Sequence, residues 1–354
     1  MDFGELIKKN NANHVVDSDE LQSLMQEAQD VFRAHHEPIT FFERSVFINW
    51  TCGIADCKYC YLSTQPKSDK HALRSPASIL AEILVCKLMG WRVGYLTGGL
   101  RVESSDYLTG LLSDVEKVLG HKTWMNFGPY THREVQAFKP YVNGMGSAIE
   151  SFDEELHNYI CPSKPLKALK KFLGYLKEEH MGKLITIILG IGERMEDIEE
   201  VITQVKEYNI DTVQLCFLKP QAGTVFAQVP APDPDYMCWW IAKLRVALPK
   251  LNIKVALVRE RMNDTKRYLD AGANGFSRFM VFKDFNTKYA QEFVQGCTDA
   301  GRELEGHFTT LPELDIDSAL EKIDLEKERK EEVRKKAKQY VRKLEKLTLP
   351  PSQV

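Results

Sequence analysis

Short apolar runs alternate with amphipathic stretches along the chain between residues 45 and 282. The apolar runs are continuous rather than alternating in polarity, which is typical of strands that are covered on both faces. The strands predicted from these runs are 45–50, 93–99, 123–127, 144–150, 184–190, 212–218, 253–258 and 275–282.

The stretches between these strands carry apolar residues at helical spacing. In the first of them, Ser75 suits the N-cap, Pro76 suits the first turn and Gly90 marks the end. The predicted helices are 75–89, 106–119, 131–138, 165–179, 195–208, 235–248 and 264–269. Strands that alternate with helices predict an α/β fold, a full or partial TIM-type barrel of parallel strands with its active site at their C-terminal ends.

The chain divides into three regions by composition. Residues 1–41 are polar and are expected to form an N-terminal helical extension, and residues 42–310 form the barrel. Residues 311–354 are a charged C-terminal helical tail with one apolar stripe at helical spacing. We expect this stripe to dock on the barrel, with a partner-binding helix as the alternative.

Composition narrows the class of protein. The net charge is −3, without the basic excess of a nucleic-acid-binding protein. No apolar run reaches the length of about 18 residues that a membrane span needs, and the first residues lack the apolar core of a signal peptide. We therefore expect a cytoplasmic protein without membrane or nucleic-acid partners, whose eight cysteines are metal ligands or buried thiols.

Three of these cysteines follow the first predicted strand. Cys52, Cys57 and Cys60 lie within nine residues, at the expected mouth of the barrel. Three thiolates around a [4Fe–4S] cluster leave one iron without a protein ligand, where a substrate or cofactor can bind and receive an electron. A structural zinc site normally needs a fourth ligand, and His71 is the nearest candidate. Zinc binding and inert thiols remain the alternatives.

With this cysteine loop, residues 42–310 resemble the radical S-adenosylmethionine (SAM) enzymes, in the branch of biotin synthase and the hydrogenase-cofactor maturases. The resemblance implies that the open iron chelates the amino and carboxylate groups of SAM. Electron transfer from a donor such as ferredoxin or flavodoxin then releases a 5′-deoxyadenosyl radical. The spacing here is four residues and then two, whereas the family usually has three and then two. This departure bears on the subgroup more than on the chemistry.

The resemblance also implies SAM contacts at the cysteine loop and the second strand. Tyr59 is expected to pack on the adenine. The backbone of Gly98 and Gly99 is expected to reach the amino group, because glycine has no Cβ to block the approach. Leu100 stands where the family often has a glutamate, and a simple turn is the alternative reading of the glycine pair.

Further expected SAM contacts follow the fourth and fifth strands. Glu150 is expected to touch the cofactor, since a carboxylate on a buried strand needs a partner. A lysine is expected to bind the methionine carboxylate; Lys164 and Lys167 are both candidates, and Lys167 is the one assigned. On the fifth strand, the residues expected to flank the adenine are Ile188, Gly190 and Gly192.

Other residues are candidates for substrate chemistry. Cys161, Cys216 and Cys297 are proposed ligands of a second iron–sulfur cluster that donates sulfur or iron, with buried thiols as the alternative. Arg259 and Arg261, after the seventh strand, are candidates for binding an anionic group of the substrate.

Within the family, the chain looks similar to two archaeal-type groups. One comprises two-component lipoyl synthases, which insert sulfur into an octanoyl chain on a carrier protein. The other is the maturase for the iron-guanylylpyridinol hydrogenase cofactor, which usually has five residues between its first two cysteines. The four residues here favour the lipoyl reading, with a small-molecule or carrier-bound substrate and a second radical SAM subunit as expected partners. A non-catalytic iron–sulfur or zinc protein is the alternative outside the family.

Overall fold

Residues 3–65 and 72–348 are described by the computed structural model of the chain. Eight parallel strands follow one another around a closed barrel, in which β1 pairs with both β8 and β2. The short strand β9 adds to the start of β1. The strands are β1 Ile39–Phe47, β2 Arg92–Thr97, β3 Thr123–Asn126, β4 Val142–Glu150, β5 Gly182–Leu189, β6 Thr212–Phe217, β7 Asn252–Ala256, β8 Gly275–Ser277 and β9 Glu303–Leu304.

Helices cover the outside of the barrel, and short 3-10 helices lie at Tyr61–Thr64, Lys139–Tyr141 and Arg259–Asp264. The α-helices are α1 Phe3–Ala12, α2 Ser18–His35, α3 Pro76–Leu88, α4 Ser105–Leu119, α5 His132–Phe138, α6 Glu154–Ile160, α7 Leu166–Glu178, α8 Asp197–Tyr208, α9 Pro234–Ala247, α10 Thr265–Asp270, α11 Val281–Asp284, α12 Lys288–Asp299, α13 Ile316–Glu321 and α14 Lys327–Thr348. Within the described residues, every helix is too short or too polar to span a lipid bilayer.

The predicted TIM-type α/β barrel is confirmed, and the barrel is full rather than partial. The first strand begins at Ile39, earlier than predicted. The last strand ends at Ser277, so its predicted extension to residue 282 is wrong. The reason is local: Arg278 has a φ of 64°, a left-handed conformation that breaks the strand, and α11 begins three residues later at Val281.

The N-terminal region is helical and contacts both ends of the barrel. Asp17 caps α2 by accepting hydrogen bonds from two backbone N–H groups. Helix α2 packs against α9 and leads into β1, so it forms part of the outer helical layer. Helix α1, which precedes it, lies at the opposite end, against the loop after β5.

The C-terminal helix α14 packs against α3 through the apolar stripe predicted from the sequence. Val333, Ala337 and Leu344 on this stripe are buried. Beside them, the carboxylate of buried Glu82 on α3 lies 2.7 Å from both Arg44 and Arg74. The stripe thus buries apolar surface next to a satisfied charge cluster.

An aromatic side chain lies at the N-terminal end of the barrel interior. Gly144 and Gly182 face each other on β4 and β5, and a Cβ on either would lie 2.5 Å from the ring of Trp124. The two glycines therefore leave the space that the indole of Trp124 occupies. Above this layer, Gln214 accepts hydrogen bonds from Tyr95 and Ser277, both at 3.0 Å.

Candidate active site

The loop that carries the three cysteines is bound along its first half to the loop after β2. The amide oxygen of buried Asn49 accepts a hydrogen bond from Gly99 N–H at 2.7 Å. Gly53 N–H donates to the carbonyl of Leu100 at 2.8 Å. Leu100 N–H in turn donates to the sulfur of Cys52 at 3.3 Å. The position of Cys52 is therefore fixed by backbone groups of the neighbouring loop.

The glycine pair after β2 permits this close approach. A Cβ on Gly99 would lie 1.7 Å from the carbonyl oxygen of Thr51, and one on Gly98 would lie 2.7 Å from the side chain of Asn49. Any side chain at Gly99 would displace the backbone next to Cys52. The structure thus gives these glycines a structural role, and their contact with SAM stays a prediction.

The second half of the cysteine loop rests on α6. Lys58 N–H donates to the carbonyl of Ile160 at 2.8 Å. The next residue, Cys161, forms a side-chain hydrogen bond with Cys57, and this bond lowers the pKa of the Cys57 thiol. Burial raises the pKa of Cys60 to about 11. Of these two thiols, Cys57 therefore ionises more readily, with Cys161 as the hydrogen-bond donor.

Between these cysteines, Tyr59 reaches a buried ion pair at the end of β4. Its hydroxyl donates to the carboxylate of Glu150, which is fully buried and has a φ of 62°. The ammonium group of Lys164 lies 2.8 and 3.0 Å from the two oxygens of Glu150. Burial and the nearby Glu150 charge both raise the pKa of Tyr59, so its hydroxyl stays protonated as a donor.

Lys164, rather than Lys167, is the lysine that faces this site. Lys164 is 5% exposed and also donates to the carbonyl of Ala148 at 2.7 Å, whereas Lys167 is exposed on α7. Burial opposes the charge on Lys164, but Glu150 and the neighbouring thiols outweigh it and raise the pKa of Lys164 above its ordinary value. The lysine is therefore a cation in the closed site.

Buried His157 supports the same cluster from α6. Its ring nitrogens lie 2.7 Å from the carbonyl of Ile149 and 2.8 Å from the carbonyl of Lys164. Ligand atoms of Glu150, His157 and Cys161 lie within 4.8 Å of one another, close enough to hold a metal ion. Both nitrogens of His157 and both oxygens of Glu150 already have partners, so this group is a packed polar cluster.

The fifth strand ends in two glycines with left-handed backbone. Gly190 and Gly192 have φ values of 95° and 109°. The carboxylate of buried Glu193 accepts hydrogen bonds from Gly190 N–H at 2.7 Å and Ile191 N–H at 3.0 Å, which fixes the turn. Ile188, 8% exposed, lies in the apolar cluster that packs against Cys57 and Tyr59. The sequence motif therefore forms a fixed backbone turn beside the cysteine loop.

The structure brings two of the three proposed auxiliary cysteines to this region. Cys161 and Cys216 lie in the apolar cluster that packs against Cys57. Cys297 is on α12, buried in the separate core between the helices and the outside of the barrel. Cys297 thus lies in a different part of the core from the other two cysteines.

The two arginines proposed for substrate binding are engaged by protein groups. Arg259 donates from Nε to both oxygens of Asp284, each at 2.9 Å. Arg261 donates to the carbonyl of Pro232 at 2.8 Å. Arg278, which the sequence analysis did not single out, instead follows β8 and forms a hydrogen bond with Cys216. The left-handed φ of Arg278 turns this residue towards the barrel mouth, and the sequence does not predict that conformation.

A cavity of about 690 Å³ opens beside the cysteine loop. It lies among the loops that follow β2, β3 and β4, and its lining includes Asn49, Gly99, Glu103, Tyr130 and Lys164. This is the C-terminal end of the barrel, where the fold was expected to place its active site.

Residues 52–205 match the sequence model of the Radical SAM superfamily. Over this segment, the chain is similar to that superfamily. The radical SAM match begins at the first cysteine of the loop and ends within α8, so it includes the thiols, the glycine pair, Glu150, Lys164 and the β5 turn.

Two curated proteins are similar to the chain along most of its length. An uncharacterized protein of Methanocaldococcus jannaschii is 28% identical over 313 residues, which cover 85% of this chain and 85% of that protein. A biotin synthase of Pseudomonas aeruginosa is 26% identical over 313 residues, which cover 84% of this chain and 88% of the synthase. The similarity therefore extends well beyond the C-terminal end of the radical SAM segment.

Two solved structures share the fold. Methylornithine synthase superposes with a TM-score of 0.69 at 16% identity, covering 90% of this chain and 99% of the synthase. The FeFe-hydrogenase maturase of Carboxydothermus hydrogenoformans superposes with a TM-score of 0.67 at 17% identity, covering 98% of this chain and 87% of the maturase. At these identities the similarity concerns the fold alone.

The match to the Radical SAM superfamily implies a [4Fe–4S] cluster and SAM, and the donor set of this site fits both. Cys52, Cys57 and Cys60 are free thiols on one loop, with no disulfide that would have to be reduced first. Thiolates are the ligands that such clusters require. His71, the nearest fourth ligand for a zinc site, lies outside the described residues.

Proposed function

We propose that this radical SAM protein is an enzyme in which Cys52, Cys57 and Cys60 bind the cluster and the adjoining strand ends bind SAM. The observation that carries the proposal is the direct link between the cysteine loop and a buried pair of opposite charges. Tyr59, which lies between two of the cysteines, bonds to Glu150, and Glu150 pairs with Lys164. Three protein ligands leave one iron free, as a cluster that activates a cofactor requires.

When bound, the cluster would supply the electron that cleaves the sulfonium of SAM and releases a 5′-deoxyadenosyl radical. The role of the protein chain is to orient the cofactor. Glu150 and Lys164 present one negative and one positive group, which is the charge complement of a zwitterionic amino acid. We therefore propose that the pair separates when SAM binds, so that Glu150 binds the ammonium of the methionine moiety and Lys164 binds its carboxylate.

The adenosyl half would lie against the other side of the site. Tyr59 and Ile188 offer apolar surface there, beside the turn at Gly190 and Gly192. These residues are buried or half-buried, so they would exclude water from a reactive radical.

For the substrate reaction, we propose sulfur insertion of the lipoyl synthase type. Cys161 and Cys216 support this proposal because both thiols lie in the apolar cluster that packs against Cys57. It requires a low-potential electron donor, an octanoyl chain on a carrier protein and, as in the two-component systems, a second radical SAM subunit.

A second candidate is the maturase of an iron-guanylylpyridinol cofactor. The observation that favours it is the position of Cys297, which is buried on α12 in a separate core. Without Cys297, the described residues offer two thiols for an auxiliary cluster instead of three. A maturase of this kind needs the radical-generating cluster alone.

The radical SAM proposal is tested by measuring 5′-deoxyadenosine after anaerobic reconstitution and reduction. Wild type should form it, and Cys57→Ala should not, because the cluster loses one of three ligands. Cys238→Ala is the matched control, since Cys238 is a buried thiol on α9, outside the site. Product from Cys57→Ala at the wild-type rate would contradict the cluster assignment.

The two substrate reactions are separated by counting iron and sulfide per chain. If Cys161 and Cys216 bind a sulfur-donating cluster, their double alanine variant should lose about one cluster relative to wild type, while Cys297→Ala keeps both. If wild type and the double variant each bind a single cluster, the proposal of sulfur insertion by this chain is contradicted. The maturase is then the better supported function.

A further inference from the structure

The N-terminal helix α1 contacts the barrel where the radical SAM segment ends its fifth strand. The ring of Phe3 stacks on that of Tyr159, with centroids 4.0 Å apart. Ile7, 3% exposed, is the buried residue of the helix and lies against Gly192, where a Cβ would come within 2.7 Å of it. Lys8 and Lys9 face solvent. The helix therefore rests on the β5 turn by one narrow face.

Polar side chains at the end of α1 bind carbonyls of that turn. The amide of Asn10 donates to Gly192 O at 2.7 Å, and that of Asn11 donates to Gly190 O at 2.8 Å. His14 lies 2.8 Å from Glu193 O through Nε2. The left-handed glycines turn these carbonyls away from the sheet ladder, so side chains of α1 supply their partners.

The amino acids at these positions are poor choices for the helix itself. Asparagine has a low helix propensity, about 0.7 kcal/mol per residue or less below that of alanine. Two adjacent asparagines at the end of a ten-residue helix thus weaken it. Their use is accounted for by the bonds that they donate to Gly190 and Gly192.

The apolar side of α1 reaches the cofactor region directly. Ile7 belongs to the same apolar cluster as Ile188 and Cys216, and Cys57 and Tyr59 pack against that cluster. Helix α1 and the cysteine loop therefore lie on the same small apolar surface, although nearly fifty residues separate them in sequence.

We infer that α1 is a movable wall of the SAM site, which closes on the adenosyl group through Ile7 and holds the β5 turn in its binding shape through Asn10 and Asn11. The inference rests on the proposed function, because it takes SAM as the ligand. An isolated helix of ten residues is marginal in water, and this one is anchored by few buried contacts. It can therefore open to admit SAM and gains stability when SAM is bound.

The first test is amide hydrogen exchange of the reconstituted full-length protein with and without SAM, alongside equilibrium dialysis of SAM. Bound SAM should slow exchange in residues 3–12 at least about tenfold, by mass action on the closed form. If SAM binds while exchange in these residues does not change, the inference is overturned. If SAM does not bind to wild type at all, it is the proposed function that fails.

The second test compares two double variants. Asn10→Ala with Asn11→Ala removes two bonds to the turn while improving the propensity of the helix, so any loss arises from the missing contacts. SAM should dissociate faster and bind about tenfold more weakly, with the cluster absorbance unchanged. Lys8→Ala with Lys9→Ala alters the exposed face alone and should bind SAM as wild type does. Equal affinity of both variants and wild type would refute the role of the asparagines.

Discussion

The cysteine loop is held on two sides by different kinds of interaction. On the β2 side, backbone lies against backbone, and the contact depends on the absence of a side chain at Gly99. On the β4 side, the loop rests on buried charges, Glu150 and Lys164, through Tyr59. The first side specifies a shape and the second a pattern of charge, so substitutions on the two sides should fail in different ways.

The largest effect is expected on the β2 side. Gly99→Ala places a Cβ 1.7 Å from Thr51 O, and the backbone beside Cys52 must move. We expect loss of most bound iron together with destabilisation on the order of 1–3 kcal/mol or more, as in overpacked cores. Iron analysis and urea unfolding measure both. Gly110→Ala is the control, because a Cβ on Gly110 has no neighbour within 4 Å.

From the sequence, the backbone of Gly98 and Gly99 was expected to contact SAM, and on that basis a side chain at Gly99 would impair SAM binding alone. A Gly99→Ala protein with full iron content and weakened SAM binding would restore that expectation. It would also remove the contrast between the two sides of the loop.

On the β4 side, a smaller loss of bound iron is expected, although the cost in folding free energy is larger than for Gly99→Ala. Lys164→Met leaves Glu150 buried without its cation, and breaking one partner of a buried pair costs about 3–5 kcal/mol before the carboxyl takes up a proton. Glu150→Gln combined with Lys164→Met should recover much of this loss, since no charge is left unpaired. Urea unfolding of wild type, Glu150→Gln, Lys164→Met and the double variant completes the double-mutant cycle.

These charge substitutions should displace the cysteines less than Gly99→Ala does, so more of the cluster should stay bound. The double variant should retain iron and lose affinity for SAM. Loss of iron in the double variant, at wild-type stability, would show that the charges position the cysteines as well.

The smallest effect is expected from a charge cluster at the surface. Glu179 accepts hydrogen bonds from Lys139, Gln136 and His132, which lower its pKa to about 2. Because the folded pKa lies below the unfolded value of about 4.5, the contribution to stability is present above pH 4.5. It should be lost as the pH falls towards 2.

Glu179→Gln should therefore flatten the dependence of unfolding free energy on pH in this acidic window and change it little at pH 7. The measurement is urea unfolding at pH values between 3 and 7. A loss at pH 7 as large as that of Lys164→Met would contradict the distinction between exposed and buried charge.

The barrel could be predicted from the sequence because its strands are continuous apolar runs, and the stretches between them have a clear helical pattern. The sequence pattern missed α6, which has seven residues although Asp153 caps it by accepting from Leu156 N–H. It also missed α12, although Ala290, Phe293 and Cys297 are buried along that helix. The strand after α10 was drawn too long, because Phe279 and Val281 continue the apolar run after the chain has already turned at Arg278.

The candidate site was predictable where the signal is local in sequence. The three cysteines and the glycine pair lie at the ends of β1 and β2, which the apolar pattern locates. The choice between Lys164 and Lys167 was not predictable, because both precede or begin the same helix and only tertiary contact with Glu150 separates them. Burial of Cys297 in a different core is likewise a long-range property.

Trp124 helps to close the N-terminal end of the barrel. Its indole fills the space that Gly144 and Gly182 leave, and its other side lines a depression of about 470 Å³ on the N-terminal face. Glu43 and Lys254 form an ion pair at the same end, and Gln214 lies above with its partners Tyr95 and Ser277, so several side chains close the interior. Replacing this one indole with a small side chain would therefore leave a cavity within a packed core rather than a channel through the barrel.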